Sequence, residues 1–193
     1  MKMRVLILTG SLLMSCSVYA APITYDVILN GPSESPPQLS GGTGFAIITI
    51  DSVTNMLDII SDTFSGLNAG TTASHLHCCT PTPFSGTAGV ATQVPSFVGF
   101  PLGVTSGSYS MNFDMTQAST WNPAFVTASG GTVAGAEAAF LAGVAAGEVY
   151  LNIHTTFAPG GEIRGFLVPT PEPGTIVFGV AGLAGIVLIR RRR

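Results

Sequence analysis

Apolar side chains recur at every second position in several short segments, with clusters of Gly, Pro, Ser and Asn between them. Tyr25, Val27 and Leu29 form one such set, and Phe45, Ile47 and Thr49 a second. Tyr109, Met111, Phe113 and Met115 form a third, interleaved with Ser110, Asn112 and Asp114. A period of two puts alternate side chains on opposite faces, as half-buried strands require. Turn signals and β-favouring composition predict further strands over Met56 to Phe64, Ala73 to Cys78, Glu148 to Thr155 and Glu162 to Val168. The period changes over Val133 to Ala146, where Val133, Ala136, Phe140, Leu141 and Val144 have helical spacing. Pro81 to Pro101 reads as a long loop holding at most one short strand. The pattern predicts a mainly β domain: a sandwich of two antiparallel sheets with one short helix in a connection.

Two apolar runs break this pattern and lie at the ends of the chain. Lys2 and Arg4 precede an apolar stretch reaching Met14, and small residues follow up to Ala20 and Ala21. That order is a secretory signal, with Val18 and Ala20 at the positions signal peptidase reads, so residues 1–20 are expected to be removed. A rival reading takes Leu13-Met14-Ser15-Cys16 as a loose lipoprotein box with Cys16 as lipid acceptor. At the other end Pro171-Glu172-Pro173 is followed by Thr175 to Ile189, without a charge, and then Arg190, Arg191, Arg192 and Arg193. As a helix the apolar run would span about 22 Å against a ~30 Å hydrocarbon core, with the arginines snorkelling at its cytoplasmic end. Short motif, apolar segment and basic tail together resemble the PEP-CTERM sorting signal. The resemblance implies processing by membrane exosortases of Gram-negative bacteria that make exopolysaccharide. The alternative is a plain C-terminal membrane anchor. Residues 169–193 are read as this sorting and anchor segment, and 21–168 as the folded domain.

Setting the ends aside changes the charge. The formal net charge is −3, yet Arg164 is the one basic side chain of the body, facing acidic residues spread from Asp26 to Glu172. Phosphate binding needs Lys and Arg, so a nucleic-acid partner is excluded; multivalent cations and an extracellular setting suit the balance better. About 150 residues suffice for one domain with a real core. Only Cys78 and Cys79 survive signal cleavage, so packing and not a disulfide framework must hold the domain together.

Candidate chemistry concentrates in Ser74-His75-Leu76-His77-Cys78-Cys79, which holds two of the three histidines. On a strand His75 and His77 share a face, about 7 Å apart, with Leu76 on the other. His154 lies in a second strand, on the polar face with Tyr150 and Asn152. If the two strands are neighbours, three neutral imidazoles converge on a copper or zinc ion. The competing reading is structural: each ring N–H satisfies a buried carbonyl. Cys79 has the parity of the histidines and is a weaker candidate ligand; a disulfide between Cys78 and Cys79 competes with that role. Arg164 is read as half of a structural ion pair with Glu34 or Glu148, and Glu34 as a loop anchor. No nucleophile–base pair or phosphate-binding glycine loop stands out, so no catalytic residue is assigned.

Four stretches together resemble the CHRD domain, a module named after chordin and common in secreted bacterial proteins. They are Leu29-Asn30-Gly31 with Glu34-Ser35-Pro36-Pro37 and Gly42-Thr43-Gly44; Phe64-Ser65-Gly66-Leu67 with Ala73 to His77; Ala139 to Gly143 with Glu148 to Thr155; and Pro159-Gly160-Gly161-Glu162-Ile163-Arg164-Gly165. The resemblance runs from about residue 23 to 168. It departs at Cys78-Cys79, where a Gly and a small residue or Pro usually follow the histidine pair. The layout of Gly66-Leu67-Asn68-Ala69-Gly70, His75, His77 and His154 is also similar to three copper ligands of the Cu/Zn superoxide dismutases. Either an immunoglobulin-like or a dismutase-like sandwich would fit. The fourth copper ligand and the histidine zinc ligands have no counterpart here, which argues against dismutase activity. Taken together, these resemblances imply first a sorted, secreted binding or structural module of the envelope or exopolysaccharide matrix. The alternative is a copper or zinc protein using the three histidines, and a redox enzyme comes third.

Overall fold

In the computed structural model, which describes residues 21–171, every alternating segment becomes a strand. The strands are β1 (Ile23–Asn30), β2 (Thr43–Asp51), β3 (Met56–Ser65), β4 (Thr71–His77), β5 (Gly107–Asp114), β6 (Tyr150–Thr155), β7 (Ile163–Phe166) and β8 (Val168–Pro169). All pairings are antiparallel. The order is β4-β6-β7-β1-β2-β3-β5, with β8 also on β1.

Two expectations need correction. The two sheets are not separate: the Asn30–Arg164 register pair joins β1 to β7, so hydrogen bonding runs through all the strands. Val27, Leu29, Ile48, Leu57 and Ile59 of one half nevertheless share a single core with Leu76, Leu151, Ile153 and Ile163 of the other. The curled sheet thus packs on itself as a sandwich does. Nor is there one helix. Besides α2 (Val133–Ala146), a short helix α1 (Pro123–Ala128) forms where Asn122 caps the backbone N–H of Ala124 and Pro123 opens the first turn. Six residues are too few to show a helical period in the sequence.

Helix α2 begins where Thr132 Oγ1 accepts from the Gly135 N–H and ends at Gly147, whose φ of 73° suits glycine. Phe140 is fully buried and meets Trp121 with centroids 5.3 Å apart. The connection over residues 78–106 lies along the outer edge of β4. Ala91 N–H donates to Leu76 O, Phe97 N–H to Ser74 O, and Gly103 N–H to Thr71 O. Its aromatic rings reach across to β5, Phe97 packing on Tyr109 and Phe113 at 5.9 and 5.2 Å. An edge that would invite pairing with another chain is thereby covered.

Strand β6 is buried along its whole length and β4 nearly so. One face of this pair belongs to the core. The other carries polar side chains under loops, and the functional candidates sit there.

No helix among the described residues is long and apolar enough to cross a membrane. The expected signal (residues 1–20), the anchor helix Thr175–Ile189, and Glu172, Pro173 and Arg190 to Arg193 of the sorting motif lie outside the described residues; Pro171 is the last one inside.

Candidate metal centre

Strands β4 and β6 are direct neighbours, with His75 opposite Asn152, His77 opposite Tyr150, and Ala73 opposite His154. Alternation then puts His75, His77, Tyr150, Asn152 and His154 on one face, and Leu76, Leu151 and Ile153 on the core face. The three imidazoles form a triangle, with ring centroids 5.8 Å apart for His75–His77, 5.1 Å for His75–His154 and 5.5 Å for His77–His154. Their exposures are 6%, 7% and 8%.

The hydrogen bonds set the tautomers. His75 Nε2 lies 2.7 Å from Pro95 O, His77 Nδ1 3.0 Å from Ala88 O, and His154 Nδ1 3.0 Å from Pro159 O. A carbonyl oxygen only accepts, so each of these nitrogens carries the hydrogen and each ring's other nitrogen carries a lone pair. Burial, opposed by the carbonyl contacts, pushes the His75 and His77 pKa values down to about 4 and lowers that of His154. All three rings are therefore neutral at pH 7.

The nitrogens left with a lone pair are His75 Nδ1, His77 Nε2 and His154 Nε2. One ligand atom from each ring lies within 4.8 Å of the others. His77 Nε2 and His154 Nε2 are 3.4 Å apart, with no proton available between them when both rings are neutral. His75 Nδ1 is buried without a hydrogen-bond partner. A buried acceptor left unpaired, and two acceptors facing each other, both cost free energy that a cation in the middle would recover. Metal–nitrogen bonds of 2.0–2.1 Å in tetrahedral geometry place ligand nitrogens roughly 3.3–3.4 Å apart, so a pair at the 4.8 Å limit would need to close by about 1.5 Å. The three carbonyls orient the rings from outside, as ligand histidines usually require.

The surroundings give Tyr150 and Arg164 contacts that the sequence did not indicate. Tyr150 stacks on His77 at 4.8 Å with an interplanar angle of 8°. Its hydroxyl donates to Ala88 O at 3.2 Å, the carbonyl that also accepts from His77. The Arg164 guanidinium lies over the same ring, 4.7 Å from its centroid. Tyr150 shares the polar face of β6 with His154, which was the signal available in the sequence; that it lies opposite His77 depends on register, which cannot be read from a single strand.

Of the two proposed partners of Arg164, Glu34 stands 3.8 Å away and makes the one ion pair among the described residues, whereas Glu148 makes none. Arg164 also donates to Ser33 O and Gly86 O. Burial pushes the Glu34 carboxyl up to about 7 despite the nearby guanidinium. Glu162, placed by parity beside Arg164, is fully buried and accepts from Ser40 Oγ at 2.6 Å, Asn68 N–H at 2.7 Å and Thr155 Oγ1 at 2.6 Å. It ties three loops to β6 and takes no part in the histidine cluster.

Strand β4 ends at His77, so the parity argument that made Cys79 a ligand does not extend to it. The Cys78 and Cys79 sulfurs are joined in a disulfide, and Cys79 Sγ lies 3.6 Å from Ala139 O of α2. Among the described residues, the one group of three or more side chains placed so that it could hold a metal ion is the histidine triad.

No curated protein and no solved structure matches the chain. The family defined by the CHRD domain matches residues 25–167, from the third residue of β1 to the residue between β7 and β8. That span takes in every strand that builds the centre, and the chain belongs to the CHRD-domain family.

Proposed function

We propose that this protein is an exported metal-binding protein whose CHRD domain holds one copper or zinc ion on His75, His77 and His154. The observation that carries the reading is the hydrogen-bond pattern. Each imidazole gives its single N–H to a backbone carbonyl and keeps one lone pair, and one ring nitrogen from each histidine lies within 4.8 Å of the others. A purely structural histidine needs the first feature and gains nothing from the second. Three neutral nitrogen donors without a carboxylate or thiolate suit copper and zinc better than calcium or magnesium, and the affinity order favours Cu(II) over Zn(II).

The setting is the cell envelope or exopolysaccharide matrix, reached through signal peptidase and an exosortase, with the C-terminal segment holding the chain to the membrane at least transiently. The acidic body and the terminal segments support this part. A binding or structural role in the matrix, toward exopolysaccharide or envelope components, is compatible with the metal centre.

Titration of the untagged protein with Cu(II) and with Zn(II), followed calorimetrically, tests the reading. One ion per chain is expected, and His75→Ala, His77→Ala and His154→Ala should each weaken binding at least about tenfold. Absence of binding, or binding that survives all three substitutions, would refute it.

A further inference from the structure

The Cys78–Cys79 disulfide begins one residue after His77 and is not used by the metal centre. Cys79 is exposed and Cys78 is buried. On the inner side both sulfurs rest against α2 at Gly143: a Cβ there would stand 2.6 Å from each Sγ. The backbone around the pair is fastened on both sides, Cys78 N–H donating to Gly89 O at 3.1 Å and Thr80 N–H to Glu148 O at 3.1 Å. The neighbouring carbonyl, Ala88 O, orients both His77 and Tyr150.

We infer that Cys78–Cys79 is a thiol-exchange site for an external dithiol, and that its reduction loosens the metal centre through His77. This inference rests on the metal reading above. An incoming thiolate attacks the exposed Cys79 sulfur and forms a mixed disulfide, and Cys78 leaves as a thiolate that takes up a proton. The second thiol of the dithiol, as its thiolate, then attacks its own sulfur in the mixed disulfide and releases Cys79, which is protonated in turn. One dithiol becomes a disulfide, two electrons pass to the protein, and two protons end on Cys78 and Cys79. Bonded sulfurs sit about 2.05 Å apart, whereas unbonded ones need contact distance, roughly 3.5–4 Å. Gly143 leaves no room inward, so residues 78 and 79 must move outward. The displacement pulls on the 88–89 loop and on His77, which is one peptide away.

The test uses the full chain and Co(II) as probe. Protein is reduced with dithiothreitol, the reductant is removed anaerobically, and Co(II) affinity is compared with that of the oxidised protein. Intact mass should rise by two daltons on reduction, and affinity should fall about 10–100-fold, the range for losing the support of a ligand histidine. Reoxidation should restore it, and Cys78→Ser with Cys79→Ser should behave as the reduced form; should that variant fail to fold, the reversible cycle on the native chain decides alone. No mass change with dithiothreitol, equal affinities in the two states, or tighter binding with a thiolate-to-cobalt absorption band would each overturn the inference. Oxidised protein that binds no Co(II), Cu(II) or Zn(II) would remove the metal reading itself, an outcome distinct from equal affinities.

Discussion

Asp62 is the least comfortable side chain among the described residues. It is 1% exposed, neither carboxyl oxygen has a hydrogen-bond partner, and burial pushes its pKa up to about 7. The folded value lies above the unfolded one, so the folded chain holds the proton more tightly. The stability this group supports is complete below its unfolded value of about 3.9 and is lost as pH rises through about 7. Asp62→Asn removes that dependence. Urea denaturation should show the variant gaining about 2–3 kcal/mol on wild type between pH 5 and pH 8; a constant difference would mean that Asp62 is not a buried acid. At this scale the histidines were legible, because two-residue spacing on a strand places His75 and His77 on one face whatever surrounds them. Asp62 was not, because a register shift between Ile59 and Asp62 in the β3–β5 pairing breaks simple alternation. Tyr150 was visible only as a polar-face neighbour of His154, since its stacking depends on which residue lies opposite.

Helix α2 shows what can be read at the level of an element and what cannot. Its limits followed from apolar spacing, and the Thr132 and Gly147 caps agree with them. Gly143, an unfavourable residue in mid-helix, had no reason in the sequence. Its reason is the pair of sulfurs of Cys78 and Cys79, just beyond β4. Gly143→Ala should raise helix propensity by about 1 kcal/mol yet destabilise the protein overall, because the new methyl overlaps both sulfurs and overpacking costs typically 1–3 kcal/mol. A lower melting temperature for the oxidised variant is the expected result; a higher one would mean that propensity outweighs the contact and that the disulfide has space to move. Helix α1 escaped the sequence reading for the opposite reason: its caps are plain, but its six residues carry no period.

On the scale of the whole molecule, a metal on His75, His77 and His154 would link β4 to β6 and hold down the loops whose carbonyls orient the rings. Anything bound only by the folded state stabilises it by mass action, about 2.7 kcal/mol at a free concentration one hundred times Kd. Scanning calorimetry with Zn(II) should therefore show a melting temperature that climbs with ion concentration in wild type and climbs distinctly less in His154→Ala. Local order along the chain was enough to set the strands, the long helix and the face shared by His75 and His77, because each depends on neighbours a few positions away. Three matters needed the folded chain: that β6 lies beside β4, that the two halves join through Asn30 and Arg164, and that three loop carbonyls each take one imidazole N–H. These are contacts between segments up to 134 positions apart. Strand pairing and loop placement are settled by packing the whole core at once, and no periodicity within a single segment encodes that outcome.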